Sequence, residues 1–344
     1  MSTLLTKPSV DSAALHRGKL PRLLKRCPLL EELEVDYDGG VVPIQDRNIV
    51  IRLPRLRYYA HSTRKNARLD LVDMLSLPSS CSLVFNYWNG SRKAHETDRC
   101  LPFHNPSPLA SLMRIKLEVN NRDAMVELID ARNARVHLVV NASPGGQDLD
   151  LGDYSDIHKS YSTYLETLET HAVRVLCIGG PLTGLFCYFE QILSLVPGIR
   201  TLVLYDSLVT SYLFAHGSGG GGGANNWLCP MLDVLVVHSH NILDDCGKNN
   251  LCHLPRIVQR RKKDGLRLRS VSFFCRSPWD EEKYGPIESH QTLVELRECV
   301  GEFKIVMGDD ALDWSVDDHF FGGLDVRRDR KNFRGREDEL GFSI

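Results

Sequence analysis

FCYFEQILSLVPGIRTLVLYDS, residues Phe186 to Ser207, is the stretch that decides how the chain reads. Phe186, Phe189, Ile192 and Leu193, backed by Leu195 and Val196, follow helical spacing. Pro197-Gly198 ends that helix, because proline lacks the N–H and glycine tolerates a tight turn. Ile199, Leu202 and Leu204 then stand in the order L-x-x-L-x-L, and Leu202-Val203-Leu204-Tyr205 reads as a short strand with Leu202 and Leu204 inward. A helix, a Pro/Gly corner and a strand make one unit, and one such unit cannot bury its own apolar face.

The unit recurs. Cys27-Pro28 precedes Leu30, Leu33 and Val35, and Cys229-Pro230 precedes Leu232, Leu235 and Val237. Leu53-Pro54 precedes Leu56 and Tyr59, where His61 stands in the third apolar place. Leu112, Ile115 and Leu117 repeat the spacing, as do Leu268, Val271 and Phe273. Repeats behind a corner, with helix-like segments between them, predict an α/β fold. Its specific form is an irregular leucine-rich-repeat solenoid, a parallel curved sheet with helices on its convex side.

Composition agrees with a globular chain: 42% of its 344 residues are hydrophobic and 25% charged. A formal net charge of −2 gives no global argument for nucleic acid. No apolar run approaches the roughly 20 residues that span a bilayer, and the N-terminus lacks a signal-peptide core. Cys27, Cys177, Cys187, Cys229 and Cys299 occupy apolar places of the pattern and act as small hydrophobes. The expectation is a reduced, intracellular protein, cytoplasmic or nuclear.

Residues 1–19 read as a loose leader, 20–308 as the solenoid and 309–344 as a charged tail. The glycine run makes 216–226 a flexible insertion. Within the solenoid, the predicted helices include Leu20–Arg26, Leu71–Leu77 capped by Asp70, 122–131 capped by Asn121, Tyr161–Thr170, 254–263 and 291–299. Strands are expected at 33–37, 56–60, 83–85, 114–119, 136–140, 173–178, 202–205, 234–238, 269–274 and 303–307. Long loops fill 89–108 and 141–155.

Candidate chemistry is sparse. Gly217, Gly219 and Gly222 satisfy G-x-G-x-x-G, but neither a strand before nor a helix after supports a dinucleotide site. His238, His240, Asp244, Asp245, Cys246, Cys252 and His253 are the densest set of potential metal ligands, without paired C-x-x-C spacing. A metal-dependent enzyme with its site near 238–253 is the alternative they offer. The acidic set Asp309 to Asp318 lacks the glycine and terminal glutamate of a calcium loop. Arg260-Arg261-Lys262-Lys263 reads as a solvated helix end, where cations suit the dipole.

Residues alternating with the inward leucines share the opposite face of each strand. They are Glu32, Glu34 and Asp36; Tyr58 and Ala60; Arg114, Lys116 and Glu118; Thr201, Val203 and Tyr205; Val234, Val236 and His238; Ser270, Ser272 and Phe274. The set holds no converging acid, base and nucleophile. It predicts a protein-binding surface without cofactor or metal, with Tyr58, Lys116, Tyr205, His238 and Phe274 as the partner-binding residues.

CPLLEELEVDY, LPRLRYYAH, VPGIRTLVLYD and CPMLDVLVVHS resemble the irregular leucine-rich repeats of fungal F-box proteins, over roughly 27–308. In that family an N-terminal F-box docks on the adaptor of a cullin–RING ubiquitin ligase and the repeats hold the substrate. The resemblance implies a non-enzymatic substrate receptor. Only 26 residues precede Cys27, without the full Leu-Pro helical pattern of an F-box. The expectation is therefore a diverged or truncated relative, with the ligase adaptor as partner if an F-box lies upstream, or a scaffold with no ligase link. Neither nucleic acid nor a membrane is expected as a partner.

Overall fold

The computed structural model describes residues 9–10, 19–37, 50–64, 74–78, 80–89, 112–119, 123–131, 135–142, 165–166, 168–179, 186–205, 227–239, 254–275 and 277–308. In chain order these contain β1 (Ser9–Val10), α1 (Lys19–Leu24), β2 (Glu32–Tyr37), β3 (Ile51–Arg52), β4 (Tyr58–Arg64), β5 (Leu75–Ser76) and β6 (Ser82–Asn89). There follow β7 (Leu112–Val119), β8 (Asp123–Asp130), β9 (Arg135–Ala142), β10 (Val175–Gly179), α2 (Phe186–Leu195), β11 (Thr201–Tyr205) and β12 (Val234–Ser239). The last are α3 (Leu254–Lys263), β13 (Ser270–Cys275), α4 (Glu281–Tyr284), α5 (Gln291–Cys299) and β14 (Glu302–Met307). The fold is mixed α/β, with sheets and few helices. The chain divides into two compact units, the first holding β1 to β9 and α2, the second Val175–Ile178 of β10 with β11 to β14 and α3 to α5.

In the first unit the strand order is β1-β2-β4-β6-β9-β8-β7, and β3 pairs with β5 separately. From β1 to β9 the neighbours are parallel; β8 runs antiparallel to both β9 and β7. Register aligns Leu33, Tyr59, Leu83, Val136, Leu128 and Ile115 in one row across the sheet. Val35, His61, Phe85, position 138, Val126 and Leu117 form the next. Every described side chain of both rows is buried, so this face is the core.

β8 corrects the helix expected at 122–131. DAMVELID can be read at helical spacing, but Val126 and Leu128 also alternate with Glu127, and both flanking strands alternate in the same way. Only residues 120–122 and 131–134 connect it to its neighbours. Links that short permit antiparallel hairpins and exclude parallel crossovers. The helix expected at Leu71–Leu77 is cut short: Met74 is helical, but Leu75–Ser76 form a strand that pairs with Ile51–Arg52, and 71–73 lie outside the described residues. Ser9–Val10, within the expected leader, pair with Glu34–Val35.

The second unit keeps sequence order, β10-β11-β12-β13-β14, with every pair parallel. Leu176, Leu202, Leu235, Val271 and Phe303 align in one row, and Ile178, Leu204, Val237, Phe273 and Ile305 in the next. The repeated spacing thus lands in register. Helices α3 and α5 pack on each other, burying Leu254, Val258 and Arg261 from one and Leu293, Leu296 and Cys299 from the other, both at helical spacing.

The proline corners are hydrogen-bonded turns. The N–H of Leu30 donates to Cys27 O at 3.1 Å, that of Leu56 to Leu53 O at 3.1 Å, and that of Ile199 to Val196 O at 3.2 Å. In each the proline is second of four, where its locked φ suits a turn and its missing N–H costs nothing. Gly198 is needed for room and not for a left-handed backbone. A methyl there would lie 2.6 Å from Arg174 Nη1 and 2.9 Å from His171 O. Arg174 Nη1 donates to the carbonyl oxygens of His171, Val173 and Gly198, stapling this corner.

The carbonyl just before a strand accepts two N–H groups leading into its neighbour. Glu31 O takes Arg57 and Tyr58, Arg200 O takes Asp233 and Val234, and Asp233 O takes Arg269 and Ser270. Asp70, Tyr161–Tyr164, loop 90–111, the 216–226 insertion, stretch 240–253 and tail 309–344 lie outside the described residues. No described helix is long and apolar enough to cross a membrane.

Candidate functional site

The face opposite the core is where the sequence places partner contacts. In the first unit, register sets Glu34, Ala60, Val84, position 137, Glu127 and Lys116 in one row across that face. Its two ends differ. Glu34, Ala60 and Tyr58 are half-buried, whereas Val84, Glu127 and Lys116 are buried. Tyr58 is in register with Glu32 and Ser82, four strand steps or about 19 Å from the β7 end. Tyr58 and Lys116 therefore share a face without sharing a site.

Lys116 stands directly opposite Glu127 in the antiparallel ladder, and Glu127 directly opposite His137. Directly opposed residues on one face are close enough to interact, and opposite charges there stabilise the pair. At 3% and 8% exposure, Lys116 and Glu127 are internal to the sheet face. Reading 122–131 as a helix hides Glu127 and His137 from sequence reasoning; the alternation of Val126 and Leu128 about Glu127 is the signal that exposes them.

In the second unit the corresponding rows are Cys177, Val203, Val236, Ser272 and Lys304, then Tyr205, His238, Phe274 and Val306. His238 and Phe274 come together, their rings stacked at 4.9 Å and 15°. Lys304 Nζ lies 5.9 Å from the Phe274 ring centroid, a cation over an aromatic face that the sequence reading missed. Tyr205 holds the register position beside His238; its side chain lies outside the described residues.

This face is not a row of exposed residues. Cys177, Val203, Val236, His238 and Phe274 are all buried; Ser272 and Val306 are half-buried and Lys304 is exposed. The expected outward exposure of Val203, Val236, His238 and Phe274 is thus corrected. TLVLY, VLVVHS and VSFFC are nearly continuous apolar runs, and parallel strands of that composition bury both faces.

Arg261 needs a second correction. It belongs to the basic run read as a solvated helix end, but it is buried and its Nη2 donates to Leu232 O at 3.2 Å. Leu254, Val258 and Arg261 lie on one helical stripe, which puts the guanidinium inside. Arg260, Lys262 and Lys263 are exposed as expected. Lys262 Nζ donates to Glu298 O near the end of α5, and Arg267 Nη2 to Val300 O just beyond it. These cations serve carbonyls left open by a helix end.

The chemistry for an enzyme is thin among the described residues. No group of three or more His, Cys, Asp or Glu there is arranged to hold a metal ion. Burial pushes the Cys81 and Cys275 thiols up to about 12, so neither is a thiolate nucleophile near neutral pH. His240 and the rest of the ligand-rich stretch lie outside the described residues. Comparison with protein-family models, curated proteins and solved structures finds no match.

Proposed function

We propose that the chain is a non-enzymatic protein-interaction module, an irregular leucine-rich-repeat solenoid. We propose further that it is a substrate receptor of a cullin–RING ubiquitin ligase of F-box type, or a diverged relative. The observation that carries the solenoid reading is the in-register parallel ladder from β11 to β14, in which Leu202, Leu235 and Val271 align strand after strand. Stacked repeats predict that pattern, since each closes the core of its neighbour. The recurring hydrogen-bonded proline corner also supports it. Cys27, Cys81, Cys177, Cys229, Cys275 and Cys299 form no disulfide, which suits a reducing compartment.

On this reading each unit offers a half-open surface of its own, around Tyr58 and Ala60 in the first and around Ser272 and Lys304 in the second. His238 and Phe274 then shape the second surface from beneath. The test is direct binding of the purified full-length chain to a purified ligase adaptor, followed by calorimetry. Saturable one-to-one binding supports the ligase-receptor reading. Partners captured from extracts without any adaptor binding favour a scaffold with no ligase link. A stoichiometric metal in the purified protein overturns the non-enzymatic reading in favour of a site near 238–253.

A further inference from the structure

His61 occupies a place that valine, leucine or phenylalanine holds in the other units. Its neighbours in the core row are Val35 on β2 and Phe85 on β6. It is 5% exposed, and Tyr59 beside it is fully buried. The Tyr59 hydroxyl lies 3.0 Å from His61 Nδ1, and the Tyr59 ring meets Phe85 edge-on at 5.9 Å. Nε2 of His61 is buried with no hydrogen-bond partner. The imidazole therefore meets a hydroxyl at Nδ1 and is buried without a partner at Nε2.

We propose that His61 is an acid switch in the first unit: a neutral imidazole lets β2, β4 and β6 close over it, and protonation opens that core.

The described neighbours offer a charged ring no compensation. Protonation adds an N–H and a positive charge at a ring whose Nε2 has no acceptor. Among the described side chains, no carboxylate stands on the core face of β2, β4 or β6 beside it. Leu33 and Val35 are the core-face residues of β2, while Glu32 and Glu34 alternate onto the other face. Leu83 and Phe85 are the core-face residues of β6, with Cys81 just before that strand. The remaining buried residues nearby in the chain, Leu20 and Leu24 of α1, Leu30, Ile51, Leu53, Leu56 and Met74, are apolar. Tyr37 and Tyr87 hold the next register row on that face; among the described side chains, the titratable neighbours are Tyr59 and Cys81. Burial pushes the phenol far up and the thiol up to about 12, so both stay neutral in acid and neither can balance an imidazolium.

Desolvation lowers His61 from 6.5 to about 4. The sign follows from linkage. Between those values the open state takes up a proton that the closed state refuses, so the closed unit loses stability as pH falls. Below about 4 both states are protonated and the loss levels off. From pH 7 to pH 5 the open population rises about 20-fold.

Amide hydrogen exchange on the full chain, corrected for intrinsic rates, tests this. Protection in β2, β4 and β6 should fall about 20-fold between pH 7 and pH 5. His61→Asn keeps a polar group near Tyr59 and does not titrate, so it should lose that dependence. The double variant Tyr59→Phe/His61→Leu, which restores an apolar row, should lose it too. If a variant fails to fold, imidazole NMR of the parent chain still decides: His61 should remain neutral at pH 5 in the closed state. Ordinary titration near 6.5 with the fold intact overturns the proposal. So does undiminished pH dependence in a folded variant. The outcome is independent of any partner the protein binds.

Discussion

Strand β2, ELEVDY, and strand β12, VLVVHS, occupy equivalent places in their repeats and meet different surroundings. In β2 the pattern alternates: Leu33 and Val35 are buried, and Glu32 and Glu34 are half-buried. In β12 everything after Val234 is buried. A strand that alternates commits one face to the core. A strand that is apolar throughout commits both, because each outward valine left in water forgoes about 25 cal/mol per Å² of burial. The same repeat spacing therefore serves a strand with one buried face at β2 and a strand buried on both faces at β12.

The sharpest way to break this contrast is a charge on the face opposite the core. Val203→Asp should prevent stable folding of the second unit, costing more than about 4 kcal/mol, since it buries an unpaired carboxylate. Ala60→Asp, on the corresponding face in the first unit, should cost no more than about 1 kcal/mol, because the site is half open. Equal denaturant midpoints for the two variants would erase the distinction.

Next in size is Phe274→Ala. A ring meant only for a partner could be removed without harm to the fold. Buried between His238 and Lys304, this one should cost about 3–5 kcal/mol on truncation, read by chemical denaturation. A neutral result would return the ring to the surface. Leu202→Ala and Leu33→Ala should cost about 2–5 kcal/mol each, since both side chains are fully buried. A large gap between these two in thermal unfolding would mean that the cores differ as well as the outer faces.

Gly198→Ala should show a smaller loss, about 1–3 kcal/mol. Arg174 can retreat from the new methyl, but the His171 carbonyl is backbone and cannot do so freely. The smallest effect belongs to Glu32→Gln, under about 1 kcal/mol, as expected for a half-exposed charge. A loss above that value would show that the acidic side of β2 is part of the core architecture.

The inward leucines, the proline corners and most helix and strand positions were legible in the chain, because they depend on local periodicity and on what proline does to its own neighbours. So was the inward place of His61, third in an L-x-x-L-x-L frame. What periodicity could not decide was partnership. DAMVELID satisfies two spacings, and only its short links to β7 and β9 make it a strand. Arg261 lies on the apolar stripe of α3, but only the Leu232 carbonyl shows how its guanidinium is held there. The burial of Val203, Val236 and Phe274 was hinted at by unbroken apolar runs, yet a run says nothing about whether a second layer arrives to cover it. Local chemistry selects the element and its inward face. The packing of distant segments settles strand order, the burial of the other face, and the solvation of each polar group along it.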